Sequence, residues 1–178
     1  MKEKQVDPAS QRWIVMGVSG CGKSEIGRRL ALRLGIDFVE GDDHHSLGAI
    51  AKMRNGMPLA DEDRKEWLLH LRSRIAHACD NAEGLVMSCS ALKRSYRDLL
   101  REGDPALLFV HLNGDKAPLA SRIGARAGHF MPLSLLDSQF SDLQPLAENE
   151  RGFRLDIQQH PVELVNEIIR RHTEIFIV

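Results

Sequence analysis

One stretch constrains this chain more than any other: Trp13-Ile14-Val15-Met16, followed at once by Gly17-Val18-Ser19-Gly20-Cys21-Gly22-Lys23-Ser24. Four consecutive apolar residues suit a strand buried on both faces. The glycines that follow let the backbone curl, so that successive N–H groups turn inward onto phosphate oxygens. Ile26, Leu30 and Leu34 then recur on one helical face, and Gly35 ends the pattern. A helix starting near Lys23 aims its positive end at the same anion. Strand, glycine loop and helix in this order predict a nucleotide phosphate site made of Gly17, Val18, Ser19, Gly20, Cys21, Gly22, Lys23 and Ser24. Lys23 is expected to reach the β- and γ-phosphates of ATP, and the Ser24 hydroxyl to ligate Mg²⁺.

The remainder of the chain alternates strand and helix patterns. Strands are expected over 37–40, 85–89, 107–112 and 153–157. Helices are expected over 45–55, 61–79, 93–101, 117–127, 133–143 and 162–171. Alternation of this kind predicts parallel pairing through crossover helices, hence an α/β fold: a three-layer α/β/α sandwich on a mostly parallel five-stranded sheet. Residues 1–12 read as a flexible tail before a single domain over 13–178.

Composition narrows the function classes. The formal net charge of −1 gives no field to recruit nucleic acid or an anionic membrane, so acidic ligands must be met by local basic clusters. No apolar run approaches the roughly 20 residues that span a bilayer. Cys21, Cys79 and Cys89 are odd in number and lack metal-ligand spacing, which predicts free thiols in a reducing, cytoplasmic setting. The DxxG and NKxD elements of GTPase switches are absent from the sequence. A compact phosphotransferase with a small second substrate is the class that remains.

The later blocks sharpen that class. Gly41-Asp42-x-x-His45 follows the second predicted strand. Next come Lys52-Met53-x-x-Gly56-x-Pro58-Leu59-x-Asp61-x-Asp63-Arg64-x-x-Trp67-Leu68 and Cys89-Ser90-Ala91-Leu92-Lys93-x-x-Tyr96-Arg97-Asp98-x-Leu100-Arg101. Arg126-x-x-His129-Phe130 and Leu135-Leu136-x-Ser138-Gln139-Phe140 complete the set. In this order, over residues 13–170, they resemble the gluconate kinase (gluconokinase) family. Two departures stand out: Glu40 occupies a position where the family often has Asp, and 144–150 differs from its usual LExP-like segment.

The resemblance implies ATP-dependent phosphorylation of D-gluconate, Mg²⁺ as the metal, a possible homodimer, and a helical lid over about 122–143. It aligns Asp42 as the carboxylate that orients the acceptor hydroxyl and takes its proton, a role its place at a strand's carboxyl end also suits. A turn or N-cap aspartate is the alternative reading, with Asp43 a neighbouring competitor. His45, Arg64, Lys93 and Arg97 are the expected acceptor-binding residues. On periodicity alone, Lys93, Arg97 and Arg101 equally fit a solvated basic face. Arg122 and Arg126 share a helical face and are expected to close over ATP, Arg126 also stabilising the transferring group. Ser88 and Ser90 are candidates for contact with the metal or its waters. Trp13 and Trp67 are expected in the core.

Overall fold

A computed structural model of the chain describes residues 7–124 and 134–175. Five strands, β1 (Arg12–Met16), β2 (Asp37–Glu40), β3 (Leu85–Ser88), β4 (Leu108–Asn113) and β5 (Gly152–Asp156), form one sheet in the order β2-β3-β1-β4-β5. Every pairing is parallel, with Ile14 opposite Met87 on one side and Phe109 on the other. The connecting helices are α1 (Lys23–Leu34), α2 (Leu47–Arg54), α3 (Asp61–Asp80), α4 (Arg94–Arg101), α5 (Lys116–Gly124), α6 (Ser134–Asp142) and α7 (Pro161–Ile175).

Strand side chains alternate between two cores, which is the physical basis of the three layers. Trp13, Val15, Val86, Leu108, Val110 and Leu112 pack with Ile26 and Leu30 of α1 and with Leu164 and Ile168 of α7. Ile14, Met16, Met87 and Phe109 point the other way, into Trp67, Leu71 and Ile75 of α3 and Leu100 of α4. Burial on both faces explains the near-continuous apolar runs of β1, β3 and β4.

Three local expectations are corrected. The end of the stretch read as a tail belongs to the folded domain: Gln11 is buried and donates to the carbonyl of Ala106, while Arg12 pairs with buried Asp104. Chain entry is therefore stitched to the residues just before β4. The helix expected from His45 starts at Leu47 instead, because Gly41–His44 forms a 3-10 turn and the Ser46 hydroxyl accepts the Ala49 N–H as the helix cap. The helix expected from Lys93 starts at Arg94, with Lys93 at its N-cap position.

Candidate active site

The carboxyl ends of β1, β2 and β3 meet at one edge of the sheet, and each delivers one loop. The first is the glycine loop after β1. Gly17 has φ 143°, and a Cβ there would lie 2.7 Å from the Leu112 carbonyl and 2.8 Å from the Cys21 sulfur. Gly22 has φ 96°, and a Cβ there would meet no atom of the described residues within 4 Å. The loop is thus folded against the sheet at its start and open at its end. The Gly17 N–H donates to Ser90 O, which fixes the loop to the end of β3. Lys23, nearly buried, donates from Nζ to Val18 O at 3.2 Å and so lies folded back across the loop. Ser24 is half-buried in the first turn of α1, and its hydroxyl makes no hydrogen bond among the described residues.

The second loop carries Asp42. Gly41 approaches β3 so closely that a Cβ would sit 2.1 Å from Ser88 O. Its N–H donates to Ser88 Oγ at 3.2 Å, and its carbonyl accepts from Trp67 Nε1 at 2.7 Å. Ser88 in turn donates to Glu40, which also faces Arg28 at 3.4 Å. Ser88 and Glu40 are therefore engaged in the scaffold that aims Asp42. Trp67 belongs to the core as expected, with the added task of fixing Gly41.

Asp42 lines a cleft with Ser19, Lys23, His45, Arg64, Ser90 and Gln139. His45 stacks on Trp67, centroids 4.1 Å apart, and its Nε2 lies 4.0 Å from Asp42 Oδ1. Burial, assisted by the nearby Arg64 charge, lowers the His45 pKa to about 4. The imidazole is therefore neutral at physiological pH, able to exchange hydrogen bonds with a hydroxyl without adding charge. Arg64 is buried on α3 and reaches the cleft, with Nε donating to Leu59 O at 3.4 Å and Tyr96 beneath the guanidinium. A guanidinium this desolvated and this thinly bonded is suited to receive a carboxylate.

Lys93 stands beside the cleft rather than in its lining. It donates to Asp61 at 2.8 Å and faces Asp142 at 3.6 Å, and the hydrogen bond to Asp61 raises its pKa. Tyr96 donates to the same Asp61 carboxylate; burial first and that bond second push the phenol up to about 12.

Arg97 is not brought to the cleft. Its side chain is fully buried, bidentate to Glu150 at 2.7 and 2.8 Å, and bonded to the carbonyls of Ala91, Leu92, Gln144 and Pro145. Its placement four residues after Lys93 suggested a shared face, but Lys93 lies outside the helix, and Arg97 instead fastens the segment between α6 and β5. Burial works against ionisation of Glu150, yet bonds from Arg97, Ala147 and Arg101 outweigh it and hold the carboxyl at about 2. Arg122 stands in α5, and Arg126 lies outside the described residues.

A further contributor to the cleft comes from α6. Gln139 of α6 accepts the Ser19 N–H on Oε1 at 2.6 Å and donates to Ser19 Oγ at 3.2 Å, joining α6 to the phosphate loop. Leu135 and Ser138 of the same helix also line the cleft. Positions 135, 138 and 139 share one helical face, a spacing readable in the sequence, whereas the cleft that this face walls is not. Other residues of the loop, Gly20, Cys21 and Gly22, line a second cleft with Glu25, Ile157, Gln159 and Pro161. The phosphate loop thus contributes lining to two hollows.

This geometry has relatives. The family model described as shikimate kinase matches residues 19–172. A gluconokinase of Gluconobacter oxydans is 43% identical over 157 residues, 88% of each chain. A gluconokinase of Arabidopsis thaliana is 40% identical, covering 87% of this chain and 88% of its own. The chain belongs to the gluconokinase family of P-loop kinases. The crystal structure of a Sinorhizobium meliloti gluconokinase superposes with a TM-score of 0.85 at 43% identity, covering 94% of each chain. A shikimate kinase of Aquifex aeolicus, at 17% identity and a TM-score of 0.60, shares the fold. In this gluconokinase-family chain, then, sheet order, loop and cleft form one kinase scaffold.

Proposed function

We propose that the protein transfers the terminal phosphoryl group of ATP to a hydroxyl of D-gluconate, giving 6-phospho-D-gluconate. The observation that carries this reading is the pairing of a phosphate loop with a cleft in which Asp42, a neutral His45 and a thinly bonded Arg64 converge. Gluconate is a carboxylate with a chain of hydroxyls. Arg64 takes its carboxylate, His45 exchanges hydrogen bonds with a hydroxyl, and Asp42 orients the reacting hydroxyl and accepts its proton as the O–P bond forms.

The nucleotide's phosphates lie along Gly17–Ser24, with Lys23 swinging from Val18 O to the β- and γ-oxygens. Its nucleoside half takes the second cleft, beside Ile157 and Pro161. The hydroxyl of Ser24 fits a Mg²⁺ ligand, being half-buried at the helix start and unengaged by the described protein. Mg²⁺ bound there supplies charge neutralisation for the phosphates. Arg122 and Arg126 remain the cations of this reading for a lid over about 122–143. A reducing, cytoplasmic setting accords with Cys21, Cys79 and Cys89 standing as thiols outside any disulfide, and among the described residues no helix is long and apolar enough to cross a membrane.

Another acid with hydroxyls is the competing acceptor, favoured by the shikimate kinase model that spans residues 19–172. A coupled assay over gluconate, shikimate and nucleoside monophosphates separates the two, gluconate giving the largest kcat/KM. Asp42→Asn is expected to lower kcat by roughly 10²–10⁴-fold while nucleotide affinity stays within a few-fold. Turnover by wild-type protein on shikimate but not gluconate refutes the substrate assignment.

A further inference from the structure

Asp142, the last residue of α6, places its two carboxylate oxygens before two different cations. Oδ1 lies 3.6 Å from Lys93 Nζ and Oδ2 lies 4.0 Å from Arg64 Nη2. Neither separation is a closed hydrogen bond. Arg64 is 8% exposed, and among the described residues its Nη groups donate no hydrogen bond to the protein. Lys93 is already bonded to Asp61, so it is Arg64 whose donors are open. Asp142 follows Leu135, Ser138 and Gln139 at helical spacing, on the face of α6 that forms the cleft wall.

We propose that Asp142 is a specificity-setting residue, an internal carboxylate that competes with the acceptor's own carboxylate for Arg64. This rests on the acceptor reading given above. In the protein without acceptor, Asp142 offsets the charge of the two cations at a distance. When a polyhydroxy acid enters, its carboxylate closes on the Nη donors that Asp142 does not reach, and the two anions then repel each other. Asp142 thereby weakens the grip on acids while leaving neutral polyols unaffected, and it opposes most strongly acceptors that carry a second carboxylate. The residue is about one-third exposed, so water screens the effect and its size is a few-fold in binding rather than orders of magnitude.

Titration calorimetry on the full chain, with gluconate and with the uncharged polyol glucitol, tests this in wild type, Asp142→Asn and Arg64→Met. Asp142→Asn is expected to tighten gluconate about 2–5-fold, to lower its KM by the same factor, and to leave kcat, the KM for ATP and glucitol affinity unchanged. A merely structural role for Asp142 does not produce tighter binding of one charged ligand alone. Equal or weaker gluconate binding by a folded Asp142→Asn protein, with Arg64→Met weakening it, overturns the competition and leaves the acceptor reading intact. Undiminished gluconate binding by Arg64→Met overturns the acceptor reading and this inference together. Thermal melting of Asp142→Asn and Asp142→Ser ensures that binding is compared between folded proteins.

Discussion

Replacing Arg97 with Met separates a structural arginine from a substrate-binding one. The guanidinium is wholly buried and makes two short bonds to Glu150, itself buried, along with bonds to four backbone carbonyls. Breaking a buried pair by removing one partner costs about 3–5 kcal/mol, because the other charge is left without compensation. Arg101 still lies 2.6 Å from Glu150 and the Ala147 N–H still donates to it, which places the expected loss near 3 kcal/mol. Proton linkage points the same way: bonds from Arg97, Ala147 and Arg101 together hold the Glu150 carboxyl at about 2, below its ordinary 4.5, so removing Arg97 takes away part of what keeps it ionised. For a domain of this size a loss of about 3 kcal/mol lowers Tm by roughly 6–12 °C.

The sign with pH follows from the depressed pKa: the contribution is present above about 4.5 and is lost as pH falls toward about 2. The gap between wild type and variant should therefore narrow in acid. Thermal melts at pH 7 and pH 4, with kinetics measured well below both melting points, are the assay. KM for gluconate should change by less than about two-fold in the folded variant, and Arg97→Met/Glu150→Leu should recover part of the lost stability. A variant that melts like wild type and binds gluconate ten-fold more weakly refutes the reasoning.

Three buried histidines predict acid lability of a different origin. Burial lowers the pKa of His45, His111 and His172 to about 4, so the unfolded chain binds more protons between about 6.5 and 4, and stability should fall as pH drops through that window. Chemical denaturation at pH 7 and pH 5 checks this; equal stability at both contradicts it. Lys23→Met should lower kcat/KM for ATP by at least about 10²-fold with an unchanged melt, because among the described residues Val18 O is the one hydrogen-bond acceptor its Nζ meets.

What could be read from the sequence follows a physical division. Local signals were sufficient for α1, whose predicted limits Lys23–Leu34 and left-handed Gly35 stop are those observed. They were sufficient for the phosphate loop and for the strand exit at Asp42, since glycine patterns and apolar runs act over a few residues. Long-range partners were not legible. Arg97 looked available because nothing nearby in sequence announces Glu150, 53 residues on, and the divergent 144–150 segment is what its guanidinium holds. Gln11 and Arg12 looked like tail residues because Ala106 and Asp104 are more than ninety positions away. Asp142 and Gln139 become site residues only once α6 is laid across the cleft.

The most direct test of the central claim is a crystal structure with a non-hydrolysable ATP analogue, Mg²⁺ and gluconate bound together. The account predicts phosphates on the amides of Gly17–Ser24, the gluconate carboxylate on Arg64, and the reacting hydroxyl within about 2.6–3.2 Å of an Asp42 oxygen and in line with the terminal phosphorus. A nucleotide bound away from that loop, or an acceptor hydroxyl out of reach of Asp42, would contradict it.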